Sequence, residues 1–254
     1  MIKKRGQITI FIIIAVIIVA LGILIYFFFP QIKTSLGLVP KTPQQFIQSC
    51  LEDKIRESVE TLSLQGGSIA PEHYFSYNGN NIEYLCYTNE YYKTCVVQQP
   101  LLKQHIENEI KKDIADEADQ CFDSMKQSYE KKGYDVNLVK GEMSVELLPK
   151  RIVITFNNKA VFSKESSERY DKFSVVLNNN LYELISIADS IINWETSYGD
   201  AETTAYMNYY PYLKVEKKKQ TDGTTIYIIT NRNTKNKFQF ASRSVVWPPG
   251  YSID

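Results

Sequence analysis

From Ile8 to Phe29 the chain runs for 22 residues without one charged side chain, ITIFIIIAVIIVALGILIYFFF. As a helix this stretch spans roughly 33 Å, enough for a hydrocarbon core of about 30 Å. The apolar region of a secretory signal is shorter, about 7 to 15 residues, and ends at small residues. Here the run closes on Tyr26, Phe27, Phe28, Phe29 and Pro30, bulky groups suited to a membrane interface. Lys3, Lys4 and Arg5 precede it, whereas Gln31 to Leu38 contributes only Lys33. That asymmetry predicts a single-pass helix in the cell membrane, with a cytoplasmic N-terminus and the bulk of the chain extracellular.

The residues Lys4-Arg5-Gly6-Gln7-Ile8-Thr9-Ile10-Phe11 resemble the class III signal peptide of archaeal pilins and related pilin-like proteins. The resemblance covers about 25 residues. It implies cleavage between Gly6 and Gln7, with the apolar helix kept as a stem. In that family a glutamate commonly stands five residues into the mature chain, where this chain has Phe11. A carboxylate in hydrocarbon normally needs a partner, so its replacement removes one reason to form a filament.

Beyond residue 30 lie all 29 acidic residues and 26 of the 29 Lys and Arg, a formal net charge of −3. Such a balance gives nucleic acid no electrostatic footing. Four cysteines, Cys50, Cys86, Cys95 and Cys121, are an even set suited to an oxidising compartment. A zinc site and free thiols are the other readings. The usual zinc signature places two cysteines two to four residues apart, and the closest pair here has eight residues between. With only His73 and His105, no His-based metal site is expected, and no cofactor.

Thr42-Pro43 followed by Ile47, Leu51, Ile55, Val59 and Leu62 predicts an amphipathic helix that stops at Gly66-Gly67. A second, from about Pro100 to Gly133, carries Leu102, Ile106, Ile110, Ile114, Ala118 and Phe122. Between them NIEYLCYTNEYYKTCVV reads as a hairpin turning near Thr88 to Glu90. Antiparallel helices would bring Cys50 to Cys121, and the hairpin would bring Cys86 to Cys95. Strands are expected in YDVNLV, VELL, RIVITF, AVFS and KFSVVL, then a helix over Leu181 to Ile192, then strands in YLKVEKKK, TTIYIIT and KFQFASR. The expected fold class is α+β: an N-terminal transmembrane helix, then an extracytoplasmic domain of two long helices, a small hairpin and an antiparallel sheet. The parts are residues 1–30, basic flank and membrane helix; 31–41, tether; 42–132, helices with the bridged hairpin; and 133–254, mainly β with one helix, one domain with 42–132 or a second.

No G-x-S-x-G, H-E-x-x-H, Walker or Gly-rich nucleotide motif is present. Asp113, Asp116, Glu117 and Asp119 read as a solvated helix face. Asp200 and Glu202 near Glu195 have no diagnostic spacing for glycosidase work. Lys217-Lys218-Lys219 fits a wet strand edge. The unusual excess is 18 tyrosines. Tyrosine offers large contact area at low entropy cost, so a binding surface is expected at Tyr74, Tyr77, Tyr91, Tyr92, Tyr206, Tyr209, Tyr210 and Tyr212. The function expected is that of a membrane-anchored extracytoplasmic domain with a binding or envelope-assembly role. Its partners would be the lipid bilayer and then other envelope proteins or cell-surface polymers. The alternatives are a pilin-like subunit of a filament or secretion system and an anchored envelope enzyme.

Overall fold

The computed structural model describes residues 42–246. The apolar run Ile8–Phe29, the tether and the Gly6–Gln7 junction lie outside them. Among the described residues no helix is long and apolar enough to cross a membrane. The expected fold class, with its transmembrane helix, and the single-pass placement drawn from it are corrected accordingly: the described residues form four helices and a β-rich unit of several sheets. The physical reason is visible in the longest described helix and in the more apolar one after the meander. Leu102–Glu130 is 29 residues long but charged on its outer face, and Leu181–Tyr198 is apolar but only 18 residues long, with Glu183, Asp189 and Glu195 in it. A span needs about 20 predominantly apolar residues.

Helix α1, Pro43–Leu64, buries Ile47, Leu51, Ile55, Val59 and Leu62 along one face. Its end is set by Gly66 and Gly67, both at positive φ, and the Gly67 N–H returns to the Leu62 carbonyl at 2.9 Å. Helix α2, Leu102–Glu130, buries the matching stripe from Leu102 to Tyr129. The two helices pack together and are joined by the Cys50–Cys121 disulfide, with 6.0 Å between Cα atoms. Closing so long a loop is worth about 4 kcal/mol in the chain-entropy account.

The strands between residues 135 and 178 form a meander bent at one level. β4 (Asp135–Val139), β7 (Lys159–Ser163) and β8 (Ser167–Tyr170) make one half; β5 (Met143–Leu148), β6 (Arg151–Phe156) and β9 (Phe173–Asn178) make the other. Each pair of successive strands breaks where the sheet turns. At the bend Gly141 lies against Asn157: a Cβ there would sit 2.2 Å from the Asn157 carbonyl oxygen. The Gly141 N–H donates to Oδ1 of buried Asn158 at 2.7 Å, which pairs a backbone group that the bend takes out of the ladder.

The larger sheet contains β1 (Tyr74–Tyr77), β2 (Asn80–Tyr87), β12 (Lys237–Arg243), β11 (Thr224–Asn231) and β10 (Leu213–Lys219), in that order, with β3 (Val96–Val97) also on β2. It is mixed, because β12 runs parallel to β2. Asn78 and Gly79, both at positive φ, supply the tight β1–β2 turn. Helix α3, Leu181–Tyr198, packs on β11 and β12, and the short helix α4, Thr203–Tyr209, covers β10. One continuous core takes the buried faces of α1, α2 and α3, the meander, and Tyr227, Ile229, Phe238 and Phe240. Within it Phe122 meets Phe156 and Phe173 edge-on at 5.3 and 5.2 Å. On the other face of the large sheet Ile82, Tyr84, Ile226, Ile228 and Ala241 form a smaller cluster.

Candidate functional site

β2 ends at Tyr87, and the chain then loops to Cys95, where the Cys86–Cys95 disulfide closes it. The expected hairpin is narrower than the real loop. β3 begins only at Val96, which pairs with Tyr87, so Cys95 precedes the ladder. The loop is fastened to the end of β12 at several points. The Thr88 N–H donates to the Arg243 carbonyl at 3.0 Å, the Arg243 guanidinium donates back to the Thr88 carbonyl, and Cys95 N–H donates to Ser244 Oγ at 3.0 Å. At its tip the Tyr92 N–H donates to the Val245 carbonyl at 2.6 Å, while Lys93 and Val245 form a β-bridge.

Tyr91 and Tyr92 stand on this fastened tip, 59% and 72% exposed. Tyr92 has φ +61°, a left-handed backbone that a bulky side chain adopts at a cost. Glu90 and Lys93 flank the pair and form an ion pair.

The eight candidate tyrosines do not make one surface. Tyr74 and Tyr77 lie on β1, at the same side of the large sheet as the loop. Tyr206 and Tyr209 lie on α4 and Tyr210 and Tyr212 just after it, over β10 at the opposite edge. With β12 and β11 between β2 and β10, the loop lies about 14 Å from the second group along the sheet, and Tyr74 and Tyr77 on β1 about 19 Å. Tyr206 is committed to structure, its hydroxyl lying 2.8 Å from Ser190 Oγ on α3. Tyr210 meets Tyr209 edge-on at 4.9 Å and Tyr212 at 5.9 Å.

The carboxylates near residue 200 have separate tasks. Glu195 is 2% exposed; it accepts from the Tyr227 hydroxyl, from Ser242 Oγ at 3.1 Å and from Ala201 N–H at 3.0 Å. Burial raises its pKa, against the opposing effect of those donors. Burial, and then the Glu195 charge, also push the Tyr227 phenol up. Asp200 pairs with Lys217 and, at 3.3 Å, with Lys219. Glu202 caps α4 by accepting from Thr204 N–H at 2.7 Å, and that hydrogen bonding lowers its pKa. The acidic face of α2 is likewise engaged, Asp113 with Lys54 at 2.9 Å and Asp119 with Lys140 at 3.2 Å. Among the described residues no three His, Cys, Asp or Glu converge as metal ligands.

One polar cluster escaped sequence reasoning. Ser68, just past Gly66-Gly67, has its Oγ 2.8 Å from His105 Nε2 and donates to Glu83, whose pKa burial raises. The residue types match a hydrolase triad, but the bonding order does not. In a triad the acid holds the imidazole and the imidazole takes the hydroxyl proton. Here Glu83 accepts from the Ser68 hydroxyl itself, with His105 on the other side of that hydroxyl. With Ser68 only 5% exposed, the cluster fastens the loop after α1 to α2 and β2. Its residues come from three separate segments, and only the Gly-Gly turn hinted at it.

No protein family, curated protein or solved structure matched this chain.

Proposed function

We propose that this chain is a binding module that holds a protein partner through the disulfide-closed loop from Cys86 to Cys95, with Tyr91 and Tyr92 as the anchoring side chains. The observation that carries this reading is Tyr92: a large ring, 72% exposed, on a left-handed backbone held by Val245. Among the described residues nothing in the packing requires a bulky residue at that tip, and glycine would sit there without strain. Strain kept on an exposed aromatic is a feature of recognition sites. The disulfide and the bonds to Arg243, Ser244 and Val245 leave the loop little freedom to lose on association, so its contact area converts more fully into affinity. Tyrosine with a polar rim of Glu90, Lys93 and Thr88 is the composition of antibody-like contact surfaces.

A photo-crosslinking amino acid placed at Tyr91 in the full chain, expressed in its native cells, tests this. A discrete protein adduct is expected from that position and none from Lys111 on the outer face of α2. Excess wild-type chain present during irradiation should suppress the adduct, and the Tyr91→Ser/Tyr92→Ser chain should not. Equal suppression by both, with unchanged circular dichroism, would remove the loop from the function.

A further inference from the structure

Five segments remote in the chain meet at a groove of about 910 Å3. The β9–α3 junction brings Asn178, Asn179 and Asn180, and the β11–β12 turn brings Asn231, Asn233 and Asn236. Arg56 of α1, Lys150 of the β5–β6 turn, Glu183 of α3 and Tyr212 complete the lining. Two of the carboxamides build the walls. Asn231 Oδ1 accepts from the N–H groups of Asn233 and Thr234 at 2.9 and 3.2 Å, and Asn179 Oδ1 accepts from Leu181 N–H at 2.8 Å. The side-chain amides of Asn178, Asn180, Asn233 and Asn236 make no hydrogen bond to any described residue.

Glu183 belongs to the groove's wall: its Oε1 accepts from Lys150 N–H at 2.9 Å, and its Oε2 is buried with no hydrogen-bond partner among the described residues. A second lobe of about 350 Å3 shares Arg56, Asn179, Thr234 and Asn236 and runs on past Lys235 and Lys237. The groove is therefore longer than a single small molecule needs.

We propose that this groove binds an acidic oligosaccharide. Carboxamides both donate and accept, as vicinal hydroxyl groups do, and four of them here have no partner among the described residues. Tyr212, fixed by Tyr210 and by the Arg232 N–H on its carbonyl at 2.8 Å, offers a ring for the apolar face of a sugar. Glu183 lines the groove and holds the Lys150 turn through its Oε1. Lys150, Lys235 and Lys237 outnumber the acids of the two lobes, Glu60 and Glu183, and Arg56 is shared with Glu52 at 2.8 Å; the surplus suits ligand carboxylates. A nucleic acid would need a far longer basic track than this near-neutral chain provides. The groove is built from residues other than the tyrosine loop, so either site stands without the other.

The full chain is tested on an array of neutral glucans, mannans and hexuronate oligomers, with polyglutamate as an acidic peptide control, and hits are titrated by calorimetry. Binding is expected for uronate-containing oligomers. It should weaken at least about tenfold in Asn233→Ala/Asn236→Ala and in Tyr212→Ala, and fall several-fold on raising the salt to about 1 M. The Tyr91→Ser/Tyr92→Ser chain should bind unchanged. Asn178→Ala, whose side chain supports nothing else, serves as the second groove variant if Tyr212→Ala lowers the melting temperature. Failure of every saccharide to bind, binding indifferent to the groove substitutions, equal binding of neutral oligomers, or equal binding of polyglutamate would each overturn the proposal.

Discussion

The side-chain amide of Gln48 makes both hydrogen bonds of a strand partner to Val176: the Val176 N–H donates to Gln48 Oε1 at 3.2 Å, and Gln48 Nε2 donates to the Val176 carbonyl at 3.3 Å. One turn earlier Gln44 does the same with Ser174. Two glutamines four residues apart on α1 thus close the free edge of β9. An open edge is a template for pairing with another chain. Gln44→Ala/Gln48→Ala is expected to lose about 2 kcal/mol in urea denaturation, at roughly 1 kcal/mol per satisfied pair, and to self-associate with rising concentration in light scattering. A monodisperse, equally stable variant would show that the amides are incidental.

The two disulfides should differ in weight. Cys50 and Cys121 are 71 residues apart and Cys86 and Cys95 only 9. Loop-closure entropy makes the first worth about 4 kcal/mol and the second about 2.5. Chemical denaturation of each Cys→Ser pair should reproduce that order. Limited proteolysis near Tyr91 to Lys93 should accelerate only when the short loop is opened. The reverse order of stabilities would count against the chain-entropy account for this fold.

Tyr92→Gly separates strain from recognition. Relieving a left-handed tyrosine gains about 1 to 2 kcal/mol, and the extra unfolded-state freedom of glycine takes back about 0.5 to 1. Thermal stability is expected to hold or rise slightly while partner crosslinking falls. A clear loss of stability would mean that the ring supports the monomer.

Glu195 gives stability a defined pH slope. Its folded-state pKa lies above the ordinary 4.5, so the folded chain holds a proton that the unfolded chain releases. Its contribution is complete below that ordinary value and is lost as pH rises through the raised one. Stability measured by denaturation from about pH 4 upward should therefore fall less steeply in Glu195→Gln than in the wild type. Identical slopes would mean that Glu195 is already ionised in the fold.

Gly141→Ala is expected to be severe although no unusual φ is involved. The added methyl would lie 2.2 Å from a backbone oxygen, which no rotamer can avoid. A loss above about 2 kcal/mol in denaturation is expected, and a neutral outcome would show that the bend of the meander yields.

What the sequence determined by itself was local. Ile47 to Leu62 and Leu102 to Phe122 recur at helical spacing, and both helices stand where that spacing puts them, ending at glycines that release the backbone. The meander and the β10–β11–β12 run were legible for the same reason, alternation bounded by turns. β8, SERY, was too polar to announce itself, and α4 too short. The apolar run Ile8–Phe29 predicted a membrane helix, yet the described fold contains no helix that could serve as one. Tertiary structure alone decided the parallel pairing of β2 with β12, the glutamine-closed edge of β9, the Ser68–Glu83–His105 cluster and the groove joining Arg56, Asn178 and Asn236. Each of these joins residues far apart in the chain. Periodicity reports only which face of an element is apolar, whereas the pairing of polar groups follows from how those faces are buried against one another, and burial of that kind leaves no mark in local spacing.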